Sequence, residues 1–215
     1  MSAVMNTPRF ADGEAYLAWE ELQTERHEYV GGEIWAMTGA RATHNTITLN
    51  AFYFLRTSLM GKPCRVFGID LKLHINAAGD YLYPDVMVTC DPRDRQPGED
   101  RYISHPWLIA EVLSESTAAY DRGRKFELYR NLDTLTHYLL IEQDRPHAEL
   151  FFKNGQGQWV LQPLAVSDAM QIDALGQPWP VASLFNGVDF SPAAVPSQTL
   201  PPQTPQPSPA TPPPA

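Results

Sequence analysis

The sequence predicts a single α/β (α+β) domain in which a mixed β-sheet is flanked by helices. Three observations indicate this class. Apolar residues recur at helical spacing in some segments and form short runs rich in β-branched residues in others. Gly-Gly or Asn-Gly steps separate two pairs of such runs, as they do in hairpins. One apolar run is followed by a helical segment and then by another apolar run, which favours parallel pairing.

The length and composition agree with one domain and a tail. The chain has 215 residues, of which 43% are hydrophobic, and this is enough for one full core. Residues 191–215 hold ten of the 20 prolines and carry no charge. We therefore expect a flexible segment at residues 1–9, a domain at residues 10–190, and a disordered Pro-rich tail that is a candidate ligand for a proline-recognising partner.

Charge, hydropathy and cysteine content exclude several classes of protein. The formal net charge of -9 argues against a broad basic surface that clamps nucleic acid. No apolar stretch is long enough to span a membrane, and no signal pattern is found, so we expect a soluble, cytoplasmic protein without a membrane partner. Cys64 and Cys90 are expected to be reduced, inert core thiols, although facing positions would let an oxidant join them.

The amino-terminal part of the domain should supply two helices and a hairpin. An amphipathic helix is predicted over residues 11–24, with Asp12 as its cap. A hairpin with a Gly-Gly turn follows over residues 26–37. Residues 45–60 show helical spacing of apolar side chains, and His44 stands at the start of that helix.

An alternating pattern over residues 64–75 predicts one antiparallel strand, with a turn at residues 76–79. If this turn is centred on its two alanines, Asp70 lies opposite Asp85, and the two cysteines face each other. A slip of one residue would undo both pairings. As a pair of like charges, the two aspartates would need a divalent cation or a lysine, and Lys72 lies on the same face.

The remaining elements lead to a sheet that contains one parallel pair. A charged segment with two prolines predicts a mobile surface loop, a helix follows capping residues, and an apolar strand and a hairpin end the domain. The strand after the helix should pair in parallel with the strand that carries Glu111. The predicted ranges are 91–104 for the loop, 114–131 for the helix, 136–141 for the strand, and 147–152 with 158–161 for the hairpin.

Two carboxylates interrupt runs that otherwise have the composition of buried strands. Asp85 lies in the run 83–88 and Glu111 in the run 107–114. Burying an ionised carboxylate costs several kcal/mol unless a cation or hydrogen-bond donors compensate it. Two such residues on neighbouring strands therefore predict a metal site. The alternative for Asp85 is the end of a turn or an ion pair with Lys72.

Asp121, Lys125 and Tyr129 follow the second strand at steps of four on a predicted helix. At this spacing Asp121 and Lys125 share one face and can pair. Lys125 is either a functional lysine or a surface pair worth less than about 1 kcal/mol. Further site candidates are Glu33, His44, Asp70, Lys72 and Asp121; the alternatives are a solvated strand residue for Glu28, Glu33 and Asp70, and a helix cap for His44.

Several of these motifs, in this order and spacing, resemble the Uma-two family, long described as a domain of unknown function within the PD-(D/E)XK nuclease superfamily. The resemblance covers roughly residues 10–185. The residues that carry it are Tyr83-Pro84-Asp85-Val86, Glu111-Val112-Leu113-Ser114 followed by Ser116-Thr117, then Asp121, Lys125 and Tyr129, and, near the amino terminus, His44 and Glu28-Tyr29-Val30-Gly31-Gly32-Glu33-Ile34.

The resemblance implies a restriction-endonuclease-like core that acts on DNA, and by analogy a homodimer. Asp85 and Glu111 would hold Mg²⁺ or Mn²⁺, and a lysine would assist the attacking water. The chain departs from the superfamily pattern at Leu113, where the motif lysine normally stands. Similarity to the family suggests that Lys125 replaces this lysine, with Lys72 as the rival.

Two functions therefore stay open at the level of sequence. The first is a metal-dependent endonuclease that hydrolyses phosphodiester bonds in DNA, and the coincidence of two strand carboxylates with a helix lysine favours it. The second is a catalytically inactive nuclease-like fold that serves as a binding or regulatory module. The acidic net charge, without a basic stripe, favours this second function.

Overall fold

The computed structural model describes residues 9–190, except residues 38, 69, 76–78, 97 and 99. The predictions for residues 1–8, for most of the turn at 76–79 and for the Pro-rich tail lie outside the described residues. Within them the chain has the predicted mixed α+β class.

The first half of the domain contains the predicted helices and hairpin. Asp12 caps the first helix, because its carboxylate accepts a hydrogen bond from the Ala15 backbone nitrogen at 2.9 Å. The elements are α1 (Gly13–Glu20), β1 (His27–Val30), β2 (Glu33–Ala36), α2 (Ala42–Ser58), β3 (Arg65–Gly68), β4 (Lys72–His74), β5 (Tyr81–Leu82) and β6 (Val86–Thr89).

The second half begins with a 3₁₀ turn at Pro92–Arg95 and contains the longest strand. Three helical pieces come after that strand; they adjoin one another, and the middle one is π-helical. The elements are β7 (Tyr102–Ile103), β8 (Pro106–Leu113), α3 (Ala118–Tyr120), the π-helical segment (Asp121–Lys125), α4 (Phe126–Tyr129), β9 (His137–Glu142), β10 (His147–Lys153), β11 (Trp159–Ala165), β12 (Ala169–Met170) and β13 (Trp179–Pro180), with 3₁₀ turns at Asp173–Leu175 and Val181–Phe185.

The strands form separate sheets rather than the single sheet that the sequence predicted. A six-stranded sheet has the order β11-β10-β9-β8-β6-β3, and a five-stranded sheet has the order β2-β1-β5-β4-β7. Strands β12 and β13 form a third, two-stranded sheet. The pairing of β8 with β9 is parallel, as predicted, and the closing hairpin of β10 and β11 is confirmed.

The two faces of β8 contact different helices. Leu108 and Val112 share a core with α2, whereas Ile109 and Leu113 share a second core with α4. Because side chains alternate along a strand, Glu111 faces the same side as Ile109 and Leu113. The sheet therefore holds the Glu111 carboxylate beneath the helix that carries the predicted lysine.

The prediction of one strand over residues 64–75 is wrong. Strand β3 belongs to the six-stranded sheet and β4 to the five-stranded sheet, so the chain changes sheets between them. At this crossing Asp70 has a φ of 75°, in the left-handed region that Asp tolerates better than most residues. Its side chain is 60% exposed and pairs with Arg26 at 3.4 Å. The expected pairing of Asp70 with Asp85 is therefore also wrong.

Cys64 and Cys90 form a disulfide in the structure. Strands β3 and β6 pair with Arg65 opposite Thr89, and one further step of this register brings the two cysteines face to face. The facing positions are thus confirmed, and the expected reduced thiols are not found.

The described residues of the predicted loop 91–104 include the 3₁₀ turn at Pro92–Arg95 and β7, and the mobility of this loop stays a prediction. Asp94, in the 3₁₀ turn, is buried, and its carboxylate accepts hydrogen bonds from the backbone nitrogens of Ser104 and His105 at 3.0 Å each. These bonds hold the 3₁₀ turn against the residues that precede β8. Among the residues that the structure describes, no helix is both long and apolar enough to cross a bilayer.

Candidate active site

The two strand carboxylates meet where β6 begins and β8 nears its end. Val86 pairs with Ala110, and the next step of this register brings Asp85 to Glu111. The Asp85 backbone nitrogen donates to Oε2 of Glu111 at 3.2 Å, and the Val112 backbone nitrogen donates to Oδ2 of Asp85 at 2.7 Å. Each carboxylate is thus tied to the backbone of the other strand.

The Lys125 ammonium lies among three buried carboxylates. Its Nζ atom is 3.1 Å from Oε1 of Glu111, 3.2 Å from Oε1 of Glu28 and 3.3 Å from Oδ1 of Asp121. Glu28 is on β1, in the five-stranded sheet, so this contact joins both sheets to the helix. Lys125 ends a π-helical segment, a conformation that recurs at functional sites.

Three tyrosines support this cluster from behind. The Tyr129 hydroxyl donates to Oε1 of Glu111 at 2.8 Å, and the Tyr138 hydroxyl donates to the backbone oxygen of Asp121 at 3.0 Å. The backbone nitrogen of Tyr83 donates to Oε1 of Glu28 at 3.3 Å. These bonds hold Glu111, Glu28 and the backbone of Asp121 in place without a bound ligand.

His44, the third residue of α2, approaches Asp85 from the other side of the sheet. Its Nε2 atom is 3.3 Å from Oδ2 of Asp85. Burial alone would lower the pKa of His44, but the hydrogen bond and charge of Asp85 outweigh burial and raise it. Among the described residues no side-chain hydrogen bond caps the start of α2, so its free backbone N–H groups carry the positive end of the helix dipole.

The cluster contains more negative than positive charge. Burial raises the pKa of Glu111 to about 8; the charge of Lys125 opposes this rise, whereas Asp85 and Asp121 add to it. Burial acts to lower the pKa of Lys125, but Glu111, Glu28 and Asp121 hold it well above its usual value. Lys125 is therefore an ammonium ion in contact with three carboxyl groups, those of Glu28, Glu111 and Asp121.

The structure brings together five of the sequence-predicted candidates and separates three others. Those together are Asp85, Glu111, Lys125, Asp121 and His44. Glu33 is exposed at the start of β2, and Asp70 is exposed between β3 and β4. Lys72 lies over the ring of Tyr83, with Nζ 5.5 Å from the ring centroid.

Sequence reasoning missed Glu28 and undervalued Tyr129. Glu28 was predicted to be a solvated strand residue, but it is 6% exposed. The three residues from Glu28 to Val30 are all buried, so β1 lacks the polar face that this prediction assumed. Tyr129 stood at the right helical step, but its hydrogen bond to Glu111 depends on the packing of α4 against β8.

The donor set suits a hard divalent cation. Within the described residues, and with the Lys125 ammonium between its carboxylates, no three His, Cys, Asp or Glu side chains lie close enough together to hold a metal ion. Asp85 and Glu111 nevertheless offer two carboxylates. Mg²⁺ is usually bound by one or two protein carboxylates, and water molecules complete its coordination shell. The surplus of buried negative charge around them also fits a cation.

The six-stranded sheet, the helices that flank it and the acidic cluster around Lys125 are together typical of a restriction-endonuclease-like fold. The fold is similar to a crystal structure described as "a putative nuclease belonging to DUF820" from Anabaena variabilis ATCC 29413. The TM-score is 0.66, and the match covers 82% of this chain and 98% of that one. At 14% identity, the likeness is one of fold.

The family follows from the sequence match. Residues 14–183 match Uma2, described as "Putative restriction endonuclease", and the chain belongs to this family. It is 40% identical over 177 residues to "Uncharacterized protein slr1290" of Synechocystis sp. PCC 6803, covering 82% of this chain and 92% of the relative. It is 36% identical over 166 residues to "Uncharacterized protein sll1609" of the same organism, covering 77% and 94%.

Proposed function

We propose that the protein is a metal-dependent endonuclease of the PD-(D/E)XK type, which hydrolyses phosphodiester bonds in DNA. Asp85 and Glu111 would hold Mg²⁺ or Mn²⁺, and Lys125 would position the attacking water. The observation that supports this most is the Glu111 carboxylate, which is 3% exposed, contacts the Lys125 ammonium and reaches the backbone of Asp85. Membership of a family described as "Putative restriction endonuclease" agrees with it.

The bound ion would lower the pKa of a water molecule and neutralise charge that develops on the phosphate. The residues of the chain do the rest. Lys125 is kept protonated, so its role is to orient water and stabilise negative charge rather than to accept a proton. Glu28 and Asp121 hold the ammonium beside Glu111. His44 keeps the Asp85 carboxylate in place through its 3.3 Å contact.

The position of Lys125 supports it as the replacement for the missing motif lysine. Leu113, where that lysine would stand, is buried in the core with α4. The ammonium of Lys125 approaches Glu111 from the helix instead, at 3.1 Å. The rival, Lys72, contacts the ring of Tyr83, and burial lowers its pKa.

The net charge of -9 is the main objection to a nucleic-acid substrate. A divalent ion at the acidic cluster would offset this charge where the phosphate must approach. The start of α2 adds a positive helix end, and Arg41 stands there with its side chain 75% exposed. Homodimerisation and a partner for the Pro-rich tail stay predictions from the sequence.

The test compares the parent with Glu111→Ala and with Glu33→Ala, a matched control at an exposed carboxylate. Each protein is incubated with supercoiled and linear DNA and with RNA, with and without Mg²⁺ or Mn²⁺. We expect the parent and Glu33→Ala to nick DNA only with metal, and Glu111→Ala to lose this activity. Nicking that survives Glu111→Ala refutes the assigned site. No cleavage by the parent, together with no metal binding in calorimetry, favours the binding-module alternative.

A further inference from the structure

The surroundings of Lys125 have the form of a binding site for a cation. We call the three carboxylates that contact its ammonium, those of Glu28, Glu111 and Asp121, the ammonium cage. The distances from Nζ to their oxygens differ by only 0.2 Å, from 3.1 to 3.3 Å. The Lys125 side chain is 9% exposed and the three carboxylates 8% or less, so little water shares in their charge.

We propose that the Lys125 ammonium occupies the position of a divalent cation, and that its removal opens a metal site formed by the ammonium cage. The native protein would then bind one divalent ion, at Asp85 and Glu111. The same site without the Lys125 ammonium would bind two, the second of them in the ammonium cage. The count of one ion rests on the proposed function. The cage itself does not, because it is defined by the contacts of Lys125 alone.

The cage is held in place by contacts other than those with Lys125. Its three carboxylates come from β1, β8 and the π-helical segment, which are three separate elements of the fold. The Tyr83 backbone nitrogen fixes Glu28, the Tyr129 hydroxyl fixes Glu111, and the Tyr138 hydroxyl bonds to the backbone of Asp121. These bonds should keep the three carboxylates close to one another when the ammonium is removed, so that a shift of roughly 1 Å is enough to bring their oxygens onto an ion.

One oxygen of the cage has a cation as a neighbour but makes no hydrogen bond. Oδ1 of Asp121 is buried and has no hydrogen-bond donor in bonding geometry among the described residues, although Nζ of Lys125 is 3.3 Å away. A buried polar atom of this kind calls for an explanation. Oδ1 of Asp121 contacts the Lys125 ammonium through charge rather than through a hydrogen bond. An oxygen in this position is available as a ligand for a metal ion that replaces the ammonium.

The dimensions are compatible with this exchange. Metal–oxygen distances are about 2.0–2.6 Å for Mg²⁺ and Ca²⁺. The carboxylates would therefore close by roughly 1 Å around an ion, starting from their 3.1–3.3 Å contacts with Nζ. In Lys125→Ala the missing side chain leaves room for the ion and its water ligands.

The experiment counts Mn²⁺ ions per chain by calorimetry in four proteins. These are the parent, Lys125→Ala, the double variant Lys125→Ala with Asp121→Asn, and Lys72→Ala as a matched control. We expect Lys125→Ala to bind one ion more than the parent, the double variant to lose that ion, and Lys72→Ala to equal the parent. Circular dichroism with increasing Mn²⁺ follows folding in parallel.

Each outcome bears on the proposal separately from the nuclease assignment. A folded Lys125→Ala that binds no more ions than the parent overturns it, as does a folded double variant that keeps the additional ion. A parent that binds none while Lys125→Ala binds one supports the cage and contradicts the proposed function. If Lys125→Ala is unfolded without metal, folding on addition of Mn²⁺ supports the proposal, and failure to fold at every Mn²⁺ concentration counts against it.

Discussion

Glu20 and Glu111 are both almost completely buried, but their surroundings are very different. Glu20, at the end of α1, is 2% exposed, and three donors surround its carboxylate. They are the His27 backbone nitrogen at 2.8 Å, His27 Nδ1 at 3.0 Å and the Tyr83 hydroxyl at 2.9 Å. Glu111 is 3% exposed, but it shares one ammonium with two other carboxylates.

The difference shows that burial alone does not mark a functional carboxylate. At Glu20 the donors match the oxygens, so the group is satisfied by the fold itself. Around Glu111 the fold leaves a surplus of negative charge, which only a proton or an added cation can balance. The pKa of Glu111 is accordingly raised to about 8. We take this imbalance, rather than depth, as the signature of the site.

The largest expected effect is that of Lys125→Met, which removes the one ammonium from the acidic cluster. Uncompensated buried charge typically costs about 3–5 kcal/mol in the free energy of unfolding. Urea denaturation of the metal-free protein at pH 7.5 measures this loss, which should shrink at pH 5 as the carboxylates take up protons. Lys72→Met is the control and should change stability by less than about 1 kcal/mol. If the two variants lost equal free energy of unfolding, the surplus negative charge around Lys125 would not contribute to the effect.

The imbalance should also appear in the pH dependence of the metal-free protein. The pKa of Glu111 rises from 4.5 to about 8 on folding, so between these values the folded chain holds a proton that the unfolded chain has lost. Stability conferred by this group is therefore complete below about pH 4.5 and falls as pH rises towards 8, by at most about 1.4 kcal/mol per pH unit.

Glu111→Gln isolates this contribution, because it removes the titrating group at nearly constant shape. His137 acts in the opposite sense, since burial lowers its pKa to about 4 and its stabilising effect is lost at low pH. The quantity to compare is therefore the difference between parent and Glu111→Gln in urea denaturation from pH 5 to pH 8. A difference that does not vary with pH contradicts the raised pKa.

Glutamine substitution tests the contrast between the two glutamates directly. Glu20→Gln replaces one accepting oxygen by an NH₂ group that opposes the donors from His27 and Tyr83, and should cost about 2 kcal/mol. Glu111→Gln at pH 7 replaces a carboxyl that already carries a proton, and should change stability by less than about 1 kcal/mol in either direction. Thermal unfolding of both metal-free variants measures the two changes in stability. A larger loss of stability in Glu111→Gln than in Glu20→Gln would contradict the proposed difference between the two glutamates.

Much of the fold could be predicted from the sequence because the relevant signals are local. Asp12 as a cap, the hairpins and the parallel pairing across a helix all follow from short-range patterns. The break at Asp70 could not be predicted, because residues 64–75 alternate without interruption and only the separation into two sheets makes the chain turn. The disulfide depended on register, which the sequence fixes only if the turn is known.

The candidate site was predictable where a residue broke a pattern and hidden where it fitted one. Asp85 and Glu111 stood out as acids in apolar runs, and Lys125 stood one helical turn after Asp121. Glu28 lies in a short strand beside a polar turn, where an acid is unremarkable by sequence. Its burial arises only when the five-stranded sheet meets the helix, at the 3.2 Å contact with Lys125.

The smallest effect that we predict concerns the tyrosine behind Glu111. Tyr129→Phe removes the 2.8 Å hydrogen bond to Oε1 of Glu111 and should cost about 1 kcal/mol in urea denaturation. Because that bond favours the ionised carboxylate, its loss should raise the pKa of Glu111 further and weaken Mn²⁺ binding at pH 7 more than at pH 9. Tyr120→Phe, whose ring lies 5.9 Å from Nζ of Lys125, keeps its aromatic contact and serves as the control. Equal Mn²⁺ affinities of the parent and Tyr129→Phe at both pH values would show that Lys125, without this tyrosine, sets the ionisation of Glu111.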